Sequence, residues 1–168
     1  MEPIYTDRLE IRNFRSHDWR DLHEMIVLYQ ASEVAQYDDK WPTSEEEIQG
    51  VANWFATGDS YLAVCLQATG KVIGFVAVNM VDREGGPTPN LGYVFNSGYH
   101  GQGYATEACR ATIQHCFTTL GAARIITGTA DANLPSRRLL SRLGFRETGN
   151  GEYTLTRDEW LTQTHVTH

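Results

Sequence analysis

The stretch SGYHGQGYATEACRA, Ser97 to Ala111, limits the fold more than any other part of the chain. Glycines stand at 98, 101 and 103, and the segment then runs on in a helical pattern. Glycine costs a helix stability, so glycines crowded ahead of one serve a local need. An apolar strand pattern, NLGYVF (Asn90–Phe95), leads into the loop. Strand, glycine loop and helix in that order form an anion site, because the first helical turn carries unpaired N–H groups and partial positive charge. Gly101 and Gly103 let a phosphate approach that backbone and tolerate unusual φ angles. The loop therefore reads as the holder of a phosphate-bearing ligand. A plain connector is the competing reading.

The flanking sequence alternates between two periods. RLEIRNF (Arg8–Phe14) reads as a half-exposed strand. Ser16 stands where it can cap a helix carrying Trp19, Leu22, Ile26 and Tyr29 at helical spacing. TSEEEIQGVANWF holds two overlapping capping boxes, Thr43 with Glu46 and Ser44 with Glu47, before the stripe Ile48, Val51, Phe55 and a stop at Gly58. YLAVCLQ (Tyr61–Gln67) and KVIGFVAVNM (Lys71–Met80) read as a hairpin, the second strand apolar on both faces and so central. VDREGGPTP reads as a loop, with NLGYVF the third strand of the meander. Beyond the glycines, Ala105, Cys109, Ile113, Cys116 and Leu120 form a helix face, and ARIITGT is a buried strand. NLPSRRLLSRLGF is a short helix capped by Asn133, with Pro135 in the first turn and Gly144 as the stop, and FRETGNGEYTL is a closing hairpin. The order predicts an α/β (α+β) fold: a mixed, mostly antiparallel sheet of about seven strands with about four helices, in a single domain over 1–168.

Composition narrows the function. The 168 residues carry a net charge of −7 and no dense Lys/Arg run, which argues against nucleic acid as a partner. No apolar run is long enough to span a bilayer, and MEPIYTDRLEIR is no signal peptide. Cys65, Cys109 and Cys116 are odd in number, lack CxxC spacing and sit in apolar stretches, so they read as buried reduced thiols of a cytoplasmic protein. The six histidines show no paired spacing, so no metal site is expected.

The phosphate ligand can be narrowed as well. No GK[ST] follows the glycines, so the Walker pattern is absent. The dinucleotide pattern GxGxxG is replaced by GxGxxT, and the loop follows an antiparallel meander rather than opening a parallel βαβ unit. HGQGYATEA resembles instead the pyrophosphate loop of the GNAT superfamily of acyl-CoA-dependent N-acetyltransferases, with His100 where Gln or Arg is usual. It is most similar to the RimJ/RimL-like group of ribosomal-protein N-terminal acetyltransferases, where an aromatic residue often holds that position. TDRLEIR, LGYVF, NLPSRRLLSRLGF and YTLTRDEW resemble other segments of that group in the same order.

The resemblance implies acetyl-CoA as co-substrate, held without a metal. Backbone amides of Gly101, Gln102, Gly103, Tyr104, Ala105 and Thr106 would cradle the pyrophosphate, and the main chain of Val94 and Phe95 would pair with the pantetheine arm. The strand before the loop is expected to be bulged and to splay from its neighbour, freeing an amide for the thioester oxygen. Asn133 would reach the pantetheine, cap its helix, or both. Ser136 would protonate the leaving thiolate or simply start the helix, and Tyr93 would hold a water chain. Glu107 reads as structural.

The resemblance also implies a Glu just before the Gly-Tyr pair, but this chain has Asn90, which takes no proton. Asp82, Glu84 and Asp131 are the other candidate bases. The missing acid favours a weakly basic acceptor: an α-amine has a pKa of about 7.7–8.0, against about 10.4 for a lysine side chain. The acceptor is expected against the first two helices, where YDDKW (Tyr37–Trp41) sets two acids between aromatics, although a solvated loop is the simpler explanation of those acids. A peptide N-terminus, a polyamine, an aminoglycoside or an amine metabolite all fit, and a homodimer is compatible. Two other classes remain: an acyl-CoA-binding sensor of the same fold that transfers nothing, and a nucleotide-binding protein.

Overall fold

The computed structural model describes residues 1–38 and 40–166, the last three of these by their backbone alone. Strands β1 (Ile4–Tyr5), β2 (Leu9–Asn13), β3 (Tyr61–Leu66), β4 (Val72–Arg83), β5 (Gly86–Phe95), β6 (Arg124–Gly128), β7 (Arg146–Gly149) and β8 (Glu152–Thr156) form one sheet in the order β1-β2-β3-β4-β5-β6-β8-β7. Every pairing is antiparallel except β5 with β6. Helices are α1 (Trp19–Gln30), α2 (Glu45–Phe55), α3 (Tyr104–Thr118), α4 (Leu134–Leu143) and α5 (Arg157–Val166).

The sheet divides two apolar layers. Val94 and its cross-strand partner Phe75 face the α1–α2 layer, beside Leu22, Ile26, Ile48 and Phe55. Leu91 and Tyr93 pack with Cys109, Ile113 and Leu140 on the α3–α4 side, and Phe95 packs there with Ala108. Strand alternation thus sends successive β5 side chains to opposite layers. Val72 to Val78 of β4 are buried throughout, as a central strand requires.

The mixed, mostly antiparallel sheet is as expected, but with eight strands rather than seven and five helices rather than four. The additional elements leave little pattern to read. β1 has two residues. In α5 the large apolar residues Trp160 and Leu161 are adjacent instead of three or four apart.

The segment expected as a loop, VDREGGPTP, is instead the end of a long hairpin with Gly85 and Gly86 at φ 96° and 114°. Its prolines fit a strand for a geometric reason. The bond from Asn96 N–H to Ile73 O (2.8 Å) fixes the β4·β5 alternation, which places Pro87 and Pro89 where β5 sends no N–H toward β4.

Several helix ends also differ. Ser16 does not cap α1; Ser16–Asp18 is a short 3-10 turn in which Asp18 accepts from Arg15 N–H (2.8 Å) and is clasped by Arg12 (2.8 and 3.0 Å). Neither expected capping box is complete: Ser44 caps α2 by accepting from Glu47 N–H (3.2 Å), but Glu47 accepts from the Ser44 hydroxyl (2.8 Å) rather than from its N–H. Helix α2 stops before Gly58, where Thr57 bonds back to Trp54 O through N–H and hydroxyl. Leu120 lies beyond α3 and is 44% exposed, so the apolar face ends at Cys116. Asn133 and Gly144 bound α4 as expected, the glycine at φ 92°.

Candidate active site

Strands β5 and β6 meet at a single position, Asn90 beside Ile126. The Thr127 hydroxyl donates to Leu91 O (2.7 Å), and past that point the strands part. A cleft of about 360 Å3 opens there. The alternation set at Asn96 means that Leu91, Tyr93 and Phe95 turn their N–H and C=O toward this gap, while Val94 turns its own toward Phe75. His100 Nε2 lies 3.2 Å from Phe95 O, so Tyr93's backbone groups and the Phe95 N–H are the open positions. The splay is as expected, but the bulge is not present: β4 and β5 keep continuous register from Gly74 to Arg83.

The glycine loop forms one end of the cleft. Gly101 and Gly103 adopt φ 78° and 83°, and Gly103 is the N-cap of α3 with no side-chain cap. The first-turn amides of Tyr104, Ala105 and Thr106 therefore point out of the helix beside the cleft, which these three residues line. Gln102 faces the other way, its carbonyl accepting from Arg8 Nη1 (2.9 Å). Arg8 braces the whole turn: it lies over the Tyr104 ring at 4.2 Å, and its backbone N–H and Nε bond Glu107 at 3.0 and 2.8 Å. Thr6 adds a third bond to Glu107 at 2.5 Å. Partial burial opposes ionisation of Glu107, yet the bonds from Thr6 and Arg8 outweigh it and hold the carboxyl below its ordinary range. Glu107 is thus the structural tie expected of it.

Two further devices set the strand end. A Cβ on Gly74 would lie 2.4–2.9 Å from three ring atoms of Phe95, so the absence of a side chain lets the ring lie against β4. Asn96 is buried; its side chain accepts from Gly98 N–H (2.9 Å) and donates to Glu24 (3.0 Å).

On the α4 side, Asn133 Oδ1 accepts from Ser136 N–H (3.3 Å), and Ser136 Oγ lies 3.0 Å from the Tyr93 hydroxyl. The residues expected to carry chemistry therefore touch. Burial pushes Tyr93 up to about 12, so its phenol stays protonated near neutral pH. On the α1 side the wall is made by Tyr29, Val34 and Asp38. The Tyr29 hydroxyl donates to Asp38 Oδ2, and Tyr29 is held well above its ordinary range by burial and by that carboxylate.

The candidate bases fall elsewhere. Asp82 stands opposite Pro87, six residues along β5 from Tyr93, or about 20 Å. Glu84 occupies the hairpin turn, and Asp131 is exposed at the approach to α4. Asn90 is exposed at the closed end of the gap. Among the described residues, Asp38 is the carboxylate that lines the cleft. Its neighbour Asp39, the other acid of YDDKW, lies outside the described residues. Cys65, Cys109 and Cys116 are free and buried; burial pushes Cys109 and Cys116 up to about 12 and Cys65 to about 11. Among the described residues no three His, Cys, Asp or Glu side chains group as metal ligands, and no helix is long and apolar enough to cross a membrane.

A splayed parallel strand pair, flanked by a glycine turn at a helix N-terminus, is the arrangement of an acyl-CoA-dependent transferase. Residues 8–146 match the acetyltransferase (GNAT) domain family, and the chain belongs to that family. It is 30% identical to the N-acetyltransferase p20 of Bacillus licheniformis over 159 residues, 89% of this chain and 85% of that one. The crystal structure of a GNAT-family acetyltransferase from Bacillus anthracis is similar at 27% identity and TM-score 0.81, covering 94% of this chain and 99% of that one. A ribosomal-protein-S5-alanine acetyltransferase from Vibrio fischeri shares the fold at 20% identity and TM-score 0.78, covering 95% and 99%. The chain is an acetyltransferase, and its family uses acetyl-CoA. The cleft suits that ligand: two positive-φ glycines and three outward amides sit at one end, and an unpaired strand edge runs from them.

Proposed function

We propose that this enzyme transfers the acetyl group of acetyl-CoA to a primary amine by direct attack, with both substrates bound at once. The carrying observation is the gap beyond Asn90 and Ile126, which joins the α3–α4 layer to the α1 side through the sheet. Acetyl-CoA enters from the glycine turn. The amides of Gly101, Gly103, Tyr104, Ala105 and Thr106 receive its pyrophosphate. Gln102 takes part through its place in the turn. The main-chain groups of Tyr93 and the N–H of Phe95 pair with the pantetheine arm as an added half-strand, while Val94 lines the cleft with its backbone given to Phe75. Asn133, capping α4, closes that wall.

The amine approaches from the α1 side and attacks as its neutral form. An N–H facing the gap receives the thioester oxygen as charge builds on it. The C–N bond forms, the C–S bond breaks, the nitrogen gives its proton to water at the cleft mouth, and thiolate departs beside Ser136 and Tyr93. A phenol pushed up to about 12 is a weaker acid than a thiol at about 8.5. The hydroxyl pair therefore stabilises the thiolate by donating a hydrogen bond rather than by handing over its proton. A cysteine nucleophile has no place here, because the thiols are buried and held protonated.

An α-amine, as on a peptide N-terminus, is the favoured acceptor, since much of it is already neutral near pH 7 (pKa about 7.7–8.0). This agrees with the ribosomal-protein branch to which the motifs are most similar. The test is release of free CoA thiol from acetyl-CoA in the presence of an alanyl peptide, spermidine, kanamycin and lysine, with acetylation confirmed by mass. Turnover of the peptide above the others supports the reading. Tight acetyl-CoA binding with no acceptor turned over favours a sensor module.

A further inference from the structure

We infer that Asp38, held in place by Tyr29, is the recognition group for the acceptor amine, accepting a hydrogen bond from its N–H both as the ammonium that arrives and as the neutral amine that attacks. The inference rests on the proposed amine transfer and names a residue for its acceptor half.

The geometry has three parts. First, Asp38 lines the cleft together with Tyr29 and Val34, which pack in the α1–α2 layer, while Asn133, Ser136 and Arg142 line it from the α4 side. It is exposed, so a soluble substrate reaches it from solvent without displacing protein. Second, its direction is fixed. Tyr29 sits in the last turn of α1 and is 6% exposed, with its ring in the α1–α2 core. Its hydroxyl occupies one carboxylate oxygen of Asp38, leaving the other to a ligand. The Asp38 N–H bonds Ala35 O (3.2 Å), so the backbone is anchored as well. Third, among the described residues no basic side chain forms an ion pair with this carboxylate, and the cleft-lining cation Arg142 belongs to α4 on the opposite layer. A carboxylate held by a phenol at the mouth of a cleft, with one oxygen open, suits an ammonium group, which carries three donors and no acceptor.

Tyr29 is a positioning residue: it acts through Asp38. A bound ammonium loses one proton to the water at the open mouth before attack and a second once the C–N bond has formed, so Asp38 raises amine occupancy and takes no proton itself.

The experiment uses the full chain and whichever amine of the panel the wild type turns over best. KM for the amine and KM for acetyl-CoA are measured for wild type, Asp38→Asn, Tyr29→Phe and the double variant, with acetyl-CoA binding checked by thermal shift. The expected result is a rise in amine KM of roughly ten- to a hundredfold for Asp38→Asn, the size of losing a charged hydrogen bond, with KM for acetyl-CoA and its thermal shift unchanged. Tyr29→Phe should raise amine KM several-fold in the wild-type background and add nothing once Asp38 is Asn, because its effect passes through that carboxylate. An amine KM in Asp38→Asn equal to wild type overturns the inference and leaves amine transfer intact. So does an additive Tyr29 effect, which would mark a merely structural role. A wild type that binds acetyl-CoA yet acetylates no member of the panel overturns amine transfer itself, and this inference with it.

Discussion

Replacing Gly74 with alanine tests how the cleft edge is held. The added Cβ would stand 2.4, 2.6 and 2.9 Å from Cδ1, Cε1 and Cγ of Phe95. Carbon atoms in contact settle at about 3.5–4.0 Å, so the ring must retreat by about 1 Å. Overpacking of this kind costs about 1–3 kcal/mol. Removing a glycine from the unfolded chain offsets about 0.4–1 kcal/mol of that. The net loss is then up to about 2.6 kcal/mol, a fall in Tm of up to about 10 °C for a chain of this size. Function should suffer more than stability, because the displaced residue presents its N–H to the gap. A misplacement of about 1 Å near reacting groups can cost on the order of a hundredfold. Gly92→Ala is the control: its Cβ would meet only Ala77 Cβ, at an ordinary 3.5 Å, so its Tm should hold or rise slightly. Calorimetry and the initial rate at limiting acetyl-CoA read both effects. A Gly74→Ala protein with wild-type Tm and wild-type kcat/KM would refute the claim that Phe95 is fixed by contact with bare β4 backbone.

Other expectations follow from the same contacts. Ser136→Ala should lower kcat by roughly 10- to 100-fold, the value of one hydrogen bond to a charged group, while acetyl-CoA affinity holds; a loss well beyond that would mean full proton transfer. Cys109→Ala should keep transfer activity, since its thiol is buried and protonated, and an inactive but folded variant would contradict direct attack. Glu107 has a folded pKa below its unfolded value of about 4.3, so its contribution is present above that pH and fades as pH falls through the folded value. Urea unfolding should thus show Glu107→Gln less stable than wild type at neutral pH, with the gap closing in acid; a gap that widened on acidification would reverse the sign and refute the Thr6–Arg8 tie.

What the sequence made legible is mostly what is local. The glycine turn, the α3 face as far as Cys116, the Asn133 cap and the Gly144 stop each rest on a few adjacent residues, and each forms. The Tyr93–Ser136 contact was approached through resemblance, because the two residues are 43 apart in the chain. What stayed hidden depends on tertiary placement. The β4·β5 hairpin contains two prolines, and only the pairing phase shows that neither breaks a bond. That same phase gives the gap to Tyr93 and Phe95 rather than Val94. Asp38 looked like one acid in a solvated link until α1 brought Tyr29 to it. Arg8 and Glu107 are separated by 99 residues, and no spacing rule joins them.

The central claim is that the glycine turn and the open β5 edge bind acetyl-CoA. Thermal unfolding with acetyl-CoA, CoA, NAD and ATP, in wild type and Gly103→Val, tests it most directly. A ligand at a hundred times its Kd adds about 2.7 kcal/mol, or about 5–11 °C here. That shift is expected for acetyl-CoA and CoA in the wild type, and its loss in Gly103→Val, where a β-branched side chain must adopt φ 83° with its Cβ only 3.4 Å from Arg8 Nη2, distorting the turn. No shift, or a shift with NAD or ATP alone, would contradict it.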